Sequence, residues 1–510
     1  MTSTGDTIAD IGYTAGFYPE TAPSHMAFAA LCAGRSPGLA LRPRRMLELG
    51  FGQGFGLALL AAANPDVAFE GCDISGAHVA HARGLIAEAG LTNLVVSETS
   101  FEASATQGGD NDVDGVVLHG VLSWISRASQ EAVVSILGRR LRPDGLVYVS
   151  YNCMPGWAPL APIRHLMREV KRRNPGGTEQ QLALALDLVA KLWQSNAGYF
   201  AVNPIAAHHF GTMLGMDRVY LAHEYLAEHA ELPQFSDVAA LLAPADLSYA
   251  GSAALLDNFD RYAAPETVMP LIGQIGDPML REAVRDFAAN RRFRRDLFGR
   301  GRAELAPGEH RRLLSGLRFA PAVPRNRMVF TIPGPVGELT LKPEVHGAVM
   351  DVLERKQAGF DELLALPAFR AGGADMLVDC LALLVHSGHV LALAGPHDGD
   401  MRPAQRFNRM IVERARGGRL YGHLASPVAR TGVPVDEFGL LALAAVFDAK
   451  AADPVAAARH ALSILAGSGR RPLKDNRPID DDGEAIAYLA GRMTPMLEEQ
   501  LPVWRRLGVL

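Results

Sequence analysis

Apolar and polar positions along the first half of the chain predict strands that alternate with helices. The apolar run beginning at Arg45-Met46-Leu47 predicts a buried strand, and residues 57–63, all Leu or Ala, predict a helix. A glycine-rich turn at residues 50–56 joins the two. A strand, a glycine turn and a helix form the first unit of a doubly wound parallel sheet.

Further apolar runs predict the rest of this sheet. Strands two to five are predicted at 67–73, 94–97, 114–119 and 146–151, with helical stretches between them. Residues 158–235 carry only helical patterns, and two more strand patterns follow at 246–250 and 293–298. We therefore predict an α/β fold with a doubly wound, Rossmann-like sheet of seven strands and a helical insertion.

The last third of the chain has a different pattern. Residues 304–325, with three prolines, predict a turn-rich linker, and paired strands are predicted at 328–331 and 338–341. Three helical stretches and a strand at 390–393 follow in an order that suggests a winged-helix-like domain. The three helices of this winged-helix-like region are predicted at 346–357, 360–366 and 374–386. From residue 402 onward the pattern predicts a mainly helical domain.

Composition narrows the class of protein. Hydrophobic residues are 48% and charged residues 21% of the 510, which is typical of globular proteins, and the formal net charge of −5 gives no reason to expect nucleic acid. No apolar run reaches the ~20 residues that span a bilayer, and residues 1–10 lack the pattern of a secretory signal. Four scattered cysteines indicate reduced thiols. We expect a cytoplasmic protein that is not embedded in a membrane.

Histidines of the predicted insertion do not form a metal motif. His223 and His229 are six positions apart and lie on different faces of a helix, whereas a helical zinc pair is spaced i and i+4. We therefore expect no metal. Two interpretations of His223 and the adjacent Glu224 stay open: they face the substrate, or they belong to a polar helix face that is bonded to its surroundings.

The chemistry-bearing residues follow the first two strands. Glu48, Gly50, Gly52 and Gly54 give the spacing acidic-x-Gly-x-Gly-x-Gly, in which glycines let the backbone approach a ligand closely. Asp73 ends the second predicted strand, 23 positions after Gly50, where a carboxylate can accept hydrogen bonds from both ribose hydroxyls. Asp73 alone does not choose between a nicotinamide cofactor and S-adenosylmethionine, whereas the acid before the glycines favours S-adenosylmethionine.

This loop resembles the first motif of class I S-adenosylmethionine-dependent methyltransferases. Four later stretches narrow the resemblance to bacterial methyltransferases with a methyltransferase regulatory region, a group that includes the rickettsial lysine methyltransferases acting on an outer-membrane protein. These stretches are HGVLSW at 119–124, SYNCMPGW at 150–157, YLAHEYL at 220–226 and NRRFRRD at 290–296.

The resemblance implies a set of site residues. The loop and the strand ends would bind S-adenosylmethionine through Tyr13, Glu48, Gly50, Gly52, Gly54, Asp73, Ile74, Ser100, Phe101 and His119. The substrate amine would lie among Tyr18, His119, Trp124, Tyr151 and Asn152. His119 has two open interpretations, a general base for the amine or a packed residue that shapes the cofactor pocket.

The resemblance also implies a division of the chain. We expect a methyltransferase domain in two parts, 1–157 with an N-terminal lid and 236–303; a helical insertion at 158–235; a winged-helix-like regulatory domain at 304–400; and a mainly helical domain at 401–510. The favoured function is N-methylation of lysine on a protein substrate by a homodimer that meets through the insertion. Alternatives are a small-molecule N-, O- or C-methyltransferase and a non-catalytic sensor of S-adenosylmethionine.

Overall fold

The structure is a computed structural model that describes residues 15–301, 304–394, 399–451 and 453–510. Tyr13, one of the predicted cofactor residues, lies outside these ranges. Within them, no helix is both long enough and apolar enough to cross a bilayer.

A mixed seven-stranded sheet forms the centre of the fold, as predicted. Its order is β3-β2-β1-β4-β5-β7-β6, and all neighbours are parallel except β7, which runs antiparallel to both β5 and β6. The strands are β1 Arg45–Leu49, β2 Ala68–Asp73, β3 Leu94–Glu98, β4 Val113–Leu118, β5 Leu141–Asn152, β6 Leu247–Ser252 and β7 Phe293–Arg300.

Both faces of the sheet are buried, because successive residues of its central strands point into different cores. On β5, Leu146 and Tyr148 pack into one core, and Val147 and Val149 pack into the other. Helices on the two faces complete these cores: α1 Pro23–Cys32, α2 Phe55–Ala63, α3 Gly76–Ala89, α4 Phe101–Ser104 and α5 Arg127–Arg140.

Side-chain caps fix where these helices begin. The hydroxyl of Ser75 accepts a hydrogen bond from the backbone N–H of His78 at the start of α3, which ends at Gly90 in the left-handed region. Ser126 caps α5 in the same way. The helices therefore start directly after the carboxyl ends of the strands, and the connecting turns gather at one edge of the sheet.

The predicted helical insertion consists of five helices with a core of their own, which includes Trp157, Leu182 and Phe210. They are α6 Ala161–Arg173, α7 Thr178–Gln194, α8 Gly198–Val202, α9 Pro204–Met213 and α10 Arg218–Leu226. Four more helices surround β6 before the chain enters β7: α11 Phe235–Leu242, α12 Asp260–Ala263, α13 Met269–Gln274 and α14 Pro278–Ala288.

The prediction of a turn-rich linker at 304–325 is wrong. Helix α15 begins at Pro307, where a missing N–H costs nothing because the first N–H groups of a helix have no internal partner. Strand β8, Arg318–Pro321, then pairs antiparallel with two later strands and buries Phe319 and Ala320. The elements of this region are α15 Pro307–Ser315, β8 Arg318–Pro321, β9 Thr331–Gly334, β10 Gly337–Thr340, α16 Ala348–Leu353, β11 Ala358–Gly359, α17 Phe360–Leu364, α18 Gly373–His386 and β12 Val390–Leu393.

Two further details of this region differ from the predicted pattern. The hairpin of β9 and β10 forms a separate two-stranded sheet, while β12 pairs with β8. A π-helical turn, Pro343–Gly347, precedes α16, so the predicted helix is shorter and irregular at its start.

The C-terminal region is mainly helical and packs through α2 against the region of the seven-stranded sheet. The ring of Phe55 on α2 stacks on Tyr421 with centroids 4.5 Å apart, and α2 also meets β13 and β14. The elements are α19 Arg402–Arg416, β13 His423–Ser426, β14 Thr431–Pro434, α20 Glu437–Phe447, α21 Pro454–Gly467, β15 Leu473–Lys474, β16 Arg477–Pro478, α22 Asp482–Pro495 and α23 Leu501–Arg506.

Candidate active site

The three glycines of the loop adopt a backbone that other residues rarely adopt. Gly50, Gly52 and Gly54 have φ of +73°, +59° and +73°. A Cβ on Gly50 would lie 2.7 Å from Val121 Cγ2, and one on Gly54 would lie 2.6 Å from Ala82 Cβ. The conformation therefore favours glycine at all three positions, and close packing also requires it at Gly50 and Gly54.

Asp73 at the end of β2 holds this loop in place. Its Oδ2 accepts a hydrogen bond from the Gly52 N–H at 2.9 Å, and its Oδ1 accepts one from the Ser75 N–H at 2.9 Å. His78 Nδ1 lies 3.2 Å from Oδ1. Because each carboxylate oxygen has two lone pairs, Asp73 retains acceptor capacity for a ligand.

Glu48, on β1 directly before the loop, is a poorly solvated acid. Burial raises the pKa of its carboxyl to about 8, and the nearby carboxylate of Asp73 adds to the shift. A cation beside Glu48 would offset the cost of ionising it. An ammonium-bearing ligand, such as the amino-acid end of S-adenosylmethionine, suits this position.

A cleft of about 540 Å³, partly open to solvent, runs along the loop. Several residues that line the cleft were not predicted from the sequence as site residues. Three of them, Phe51, Gln53 and Phe55, alternate with the glycines of the motif. These lining residues are Gly16, Thr21, Phe51, Gln53 and Phe55.

Part of the cleft wall is aromatic. Tyr18 stacks on His119, with ring centroids 3.6 Å apart and planes inclined by 23°, and both line the cleft. His119 Nδ1 lies 3.0 Å from the hydroxyl of Tyr148 and 3.4 Å from Ser150 Oγ. Burial lowers the pKa of His119 to about 4, so its imidazole is neutral at physiological pH.

Three predicted cofactor residues lie at the neighbouring strand ends. Ile74 follows Asp73 and is 43% exposed. Ser100 caps α4, where its hydroxyl accepts a hydrogen bond from the Ala103 N–H at 3.3 Å. Phe101 Cζ lies 3.6 Å from the position that a Cβ on Gly50 would take. All of these residues belong to the edge of the sheet where the parallel strands end, which is where open α/β sheets bind ligands.

Tyr151 does not line this cleft. It is fully buried on the opposite face of β5, and its hydroxyl donates a hydrogen bond of 2.6 Å to Asp296 Oδ2. The physical reason is the alternation of a strand, which points Tyr151 away from the side occupied by Ser150 and Asn152. The prediction that Tyr151 lies beside the substrate is therefore wrong.

Trp124 and Asn152 face the helical insertion. The Arg164 guanidinium lies over the Trp124 ring, 5.6 Å from its centroid, and Trp124 is not among the cleft-lining residues. Asn152 ends β5, and its side-chain Nδ2 donates a hydrogen bond of 2.7 Å to Glu224 Oε1. The structure thus joins β5 to α10 at the edge of the sheet beyond His119.

The C-terminal region is connected to the glycine loop through a side chain of α3. The ring of His81 on α3 bridges the two, with Nδ1 2.7 Å from the Gln53 carbonyl oxygen and Nε2 3.2 Å from the Tyr421 hydroxyl. Among the residues that the structure describes, no group of three or more His, Cys, Asp or Glu side chains could hold a metal ion.

Comparison with known proteins gives the class of this chain. Residues 47–147 match the methyltransferase domain family, and residues 217–300 match the predicted methyltransferase regulatory domain family. Over 505 residues the chain is 30% identical to the uncharacterized protein sll1526 of Synechocystis sp., covering 98% of each chain. The chain therefore belongs to the S-adenosylmethionine-dependent methyltransferases that carry this regulatory domain.

Two relatives from Rickettsia are also similar. The uncharacterized protein RP789 of Rickettsia prowazekii is 26% identical over 292 residues, which cover 56% of this chain and 51% of that one. The structure of PKMT2 from Rickettsia typhi in complex with AdoHcy matches with a TM-score of 0.69 at 19% identity, over 97% of this chain and 99% of that chain. This match extends the shared fold through the C-terminal region.

Proposed function

We propose that this methyltransferase methylates the side-chain amine of lysine on a protein substrate. The observation that carries the proposal is the aromatic wall of the cleft, where the 37% exposed Tyr18 stacks on His119. Aromatic faces attract a cationic head and pack along an alkyl stem, and a lysine side chain has both. The shared fold with PKMT2 of Rickettsia typhi along nearly the whole chain agrees with the resemblance of the sequence motifs to the rickettsial lysine methyltransferases, and that resemblance supports the same substrate class.

The cofactor residues fit S-adenosylmethionine. We propose that the Gly50, Gly52 and Gly54 backbone passes under the ligand, that Asp73 accepts from its ribose hydroxyls, and that Glu48 ionises beside its ammonium. When bound, the cofactor supplies a methyl group on a sulfonium, which is already electrophilic. The work left to the protein is to hold the two reactants in line.

We assign His119 to shaping the cleft rather than to proton transfer. An imidazole with a pKa of about 4 holds a proton poorly at neutral pH and is a weak acceptor for the proton of an ammonium. Its Nδ1 is also engaged by the Tyr148 hydroxyl. The stacked Tyr18 ring and the neutral imidazole together offer a flat, apolar wall.

We further propose the predicted division of labour along the chain. Residues 304–510 would hold a folded protein outside the cleft, which a small metabolite would not need. Residues 158–235 would form the interface of a homodimer, and exposed apolar side chains there, including Leu184 and Leu188 one helical turn apart on α7, support this role.

Transfer of label tests the proposed substrate class. We expect that tritium from methyl-labelled S-adenosylmethionine, incubated with the protein and a bacterial lysate, appears in macromolecules after separation by size. Protease treatment should release that label, and nuclease treatment should not. Label confined to small solutes would instead indicate a small-molecule methyltransferase, and no transfer with intact cofactor binding would indicate a sensor.

A further inference from the structure

Glu224 lies on α10, within the regulatory-domain match, and reaches the edge of the catalytic sheet. Its Oε1 accepts the hydrogen bond from Asn152 Nδ2, and Asn152 is the last residue of β5. Tyr148 and Ser150, which contact His119, point to the same side of β5 as Asn152. Same-side neighbours on a strand are ~6.6 Å apart, so Asn152 stands about one such step along β5 from Ser150, and Glu224 contacts the Asn152 side chain.

Glu224 and Asn152 both carry acceptor oxygens where α10 meets the end of β5. Because Asn152 uses its N–H group on Glu224, the amide oxygen Oδ1 is left as a second acceptor. A carboxylate has about four lone-pair sites, so Glu224 also keeps acceptor capacity beside this bond. Asn152 and Glu224 therefore offer two acceptor oxygens at the end of β5, two residues along the strand from Ser150, which contacts His119.

Two tyrosines border the same space. Burial raises the pKa of the Tyr220 hydroxyl to about 12, and the carboxylate of Glu224 and the phenol of Tyr18 both add to the shift, while Arg292 opposes it. Tyr18 and Tyr220 are each partly exposed, at 37% and 40%. Tyr18 thus links the cleft wall to the neighbourhood of Glu224.

Glu224 can exchange a proton near neutral pH. Burial raises the pKa of its carboxyl to about 7, opposed by the Asn152 hydrogen bond and by Arg164 and Arg292. A lysine ammonium that enters the site would favour the ionised carboxylate. This behaviour suits a group that must bind an ammonium and then take a proton from it.

We propose that Glu224, oriented by Asn152, binds the ammonium of the substrate lysine and accepts its proton before methyl transfer. The inference rests on the proposed function, because it requires an alkyl amine as substrate. It gives the regulatory domain a direct part in the reaction.

The step balances in atoms and electrons. One N–H bond of the ammonium breaks, the proton goes to a carboxylate oxygen of Glu224, and the nitrogen keeps the electron pair. That pair forms the new N–C bond to the methyl carbon while the C–S bond breaks and its electrons stay on sulfur. The products are a methylated ammonium and a neutral thioether, and Glu224 later releases its proton to water.

A purely structural role for Glu224 is the alternative, in which it only fixes Asn152 and α10. Glu224→Gln separates the two roles, because a glutamine oxygen still accepts from Asn152 Nδ2 but carries no charge. Glu228→Gln is the matched control. Glu228 follows four residues later, is exposed, and pairs with Arg168 instead of facing the cleft.

The test measures affinity for two bisubstrate analogues and needs no turnover. In both, the sulfonium of the cofactor is replaced by a nitrogen that carries an alkyl chain; one chain has a secondary amine where the lysine nitrogen would be, and the other has a methylene there. We expect the wild-type protein and Glu228→Gln to bind the amine analogue about tenfold or more tightly than the methylene analogue. In Glu224→Gln this preference should fall close to one, while S-adenosylhomocysteine binds as before.

Two results would overturn the proposal, and they differ in whether the proposed lysine methylation also fails. If Glu224→Gln kept the preference for the amine, Glu224 would not hold the ammonium, and the lysine substrate would stand. If the wild-type protein showed no preference, the site would not recognise an alkyl ammonium, and the proposed function would fall with the role of Glu224.

Discussion

Asp73→Ala is expected to lower the affinity for S-adenosylmethionine by about 10²–10⁴-fold. The ribose hydroxyls lose two hydrogen bonds to a charged acceptor, each worth ~1.5–3 kcal/mol. Every ~1.4 kcal/mol corresponds to a tenfold change in affinity. The Gly52 N–H loses its partner in the same substitution, so the loop is also less well held. Isothermal titration calorimetry with S-adenosylhomocysteine measures the loss.

Asp73→Asn and Asp66→Ala serve as controls for this substitution. Asparagine retains one acceptor oxygen and should give a smaller loss. Asp66 pairs with Arg430 away from the cleft, and its removal should leave the affinity unchanged. A folded Asp73→Ala protein with wild-type affinity would contradict the assignment of the ribose contact.

Arg294→Met is expected to destabilise the protein by about 3–5 kcal/mol, because it strips a buried cation from the carboxylates around it. The fully buried guanidinium donates to Asp296 Oδ2 at 2.7 Å, Asp286 Oδ1 at 2.6 Å and Glu282 Oε2 at 2.9 Å. Methionine replaces only the aliphatic stem, so Asp296 loses its cation between β7 and α14, while Asp286 and Glu282 keep their ion pairs with Arg291 and Arg285. Thermal unfolding should show a midpoint lowered by several degrees.

The neighbouring residue provides the matched control. Arg295 points to the other side of β7, is partly exposed, and pairs with Glu20 at 3.4 Å, so Arg295→Met should cost only ~0–1 kcal/mol. Equal unfolding midpoints for the two variants would show that the network around Arg294 does not stabilise the sheet.

The cofactor half of the site could be predicted from the sequence because its signal is local. The glycines at 50, 52 and 54 need positive φ, and the carboxylate of Asp73 ends the next strand, so both follow from spacing along a short stretch. The strands were predictable for the same reason, since each is a short apolar run. Residues 304–325 were not, because prolines that start a helix and proline at the end of a strand resemble turn signals.

The substrate half depends on contacts that no local pattern contains. Trp124 was expected beside the substrate, but its ring meets Arg164, which arrives from the insertion 40 positions later in the chain. Tyr151 and Asn152 were both expected at the amine, yet adjacent strand residues point to opposite faces. The alternation of side chains along residues 148–152 is enough by itself to separate Tyr151 from the face that carries Ser150 and Asn152.

Glu224 illustrates the limit most clearly. Its position in a helical stretch left open whether it faces the substrate or belongs to a polar helix face that is bonded to its surroundings. Only the fold brings it to Asn152 at the end of β5, 72 positions earlier. The contact between a regulatory-domain residue and the end of a central strand is therefore a result of the fold that the sequence pattern does not contain.

The chemical identity of the methylated group decides whether the protein is a lysine methyltransferase. Labelled protein substrate from the transfer reaction would be hydrolysed in acid, and its amino acids separated by chromatography. We predict that the label co-elutes with ε-N-methylated lysine and is absent when Asp73→Ala replaces the wild-type enzyme. Label that elutes with methylarginine would contradict lysine methylation. Release of the label as methanol by mild base, as from a carboxyl ester, would also contradict it.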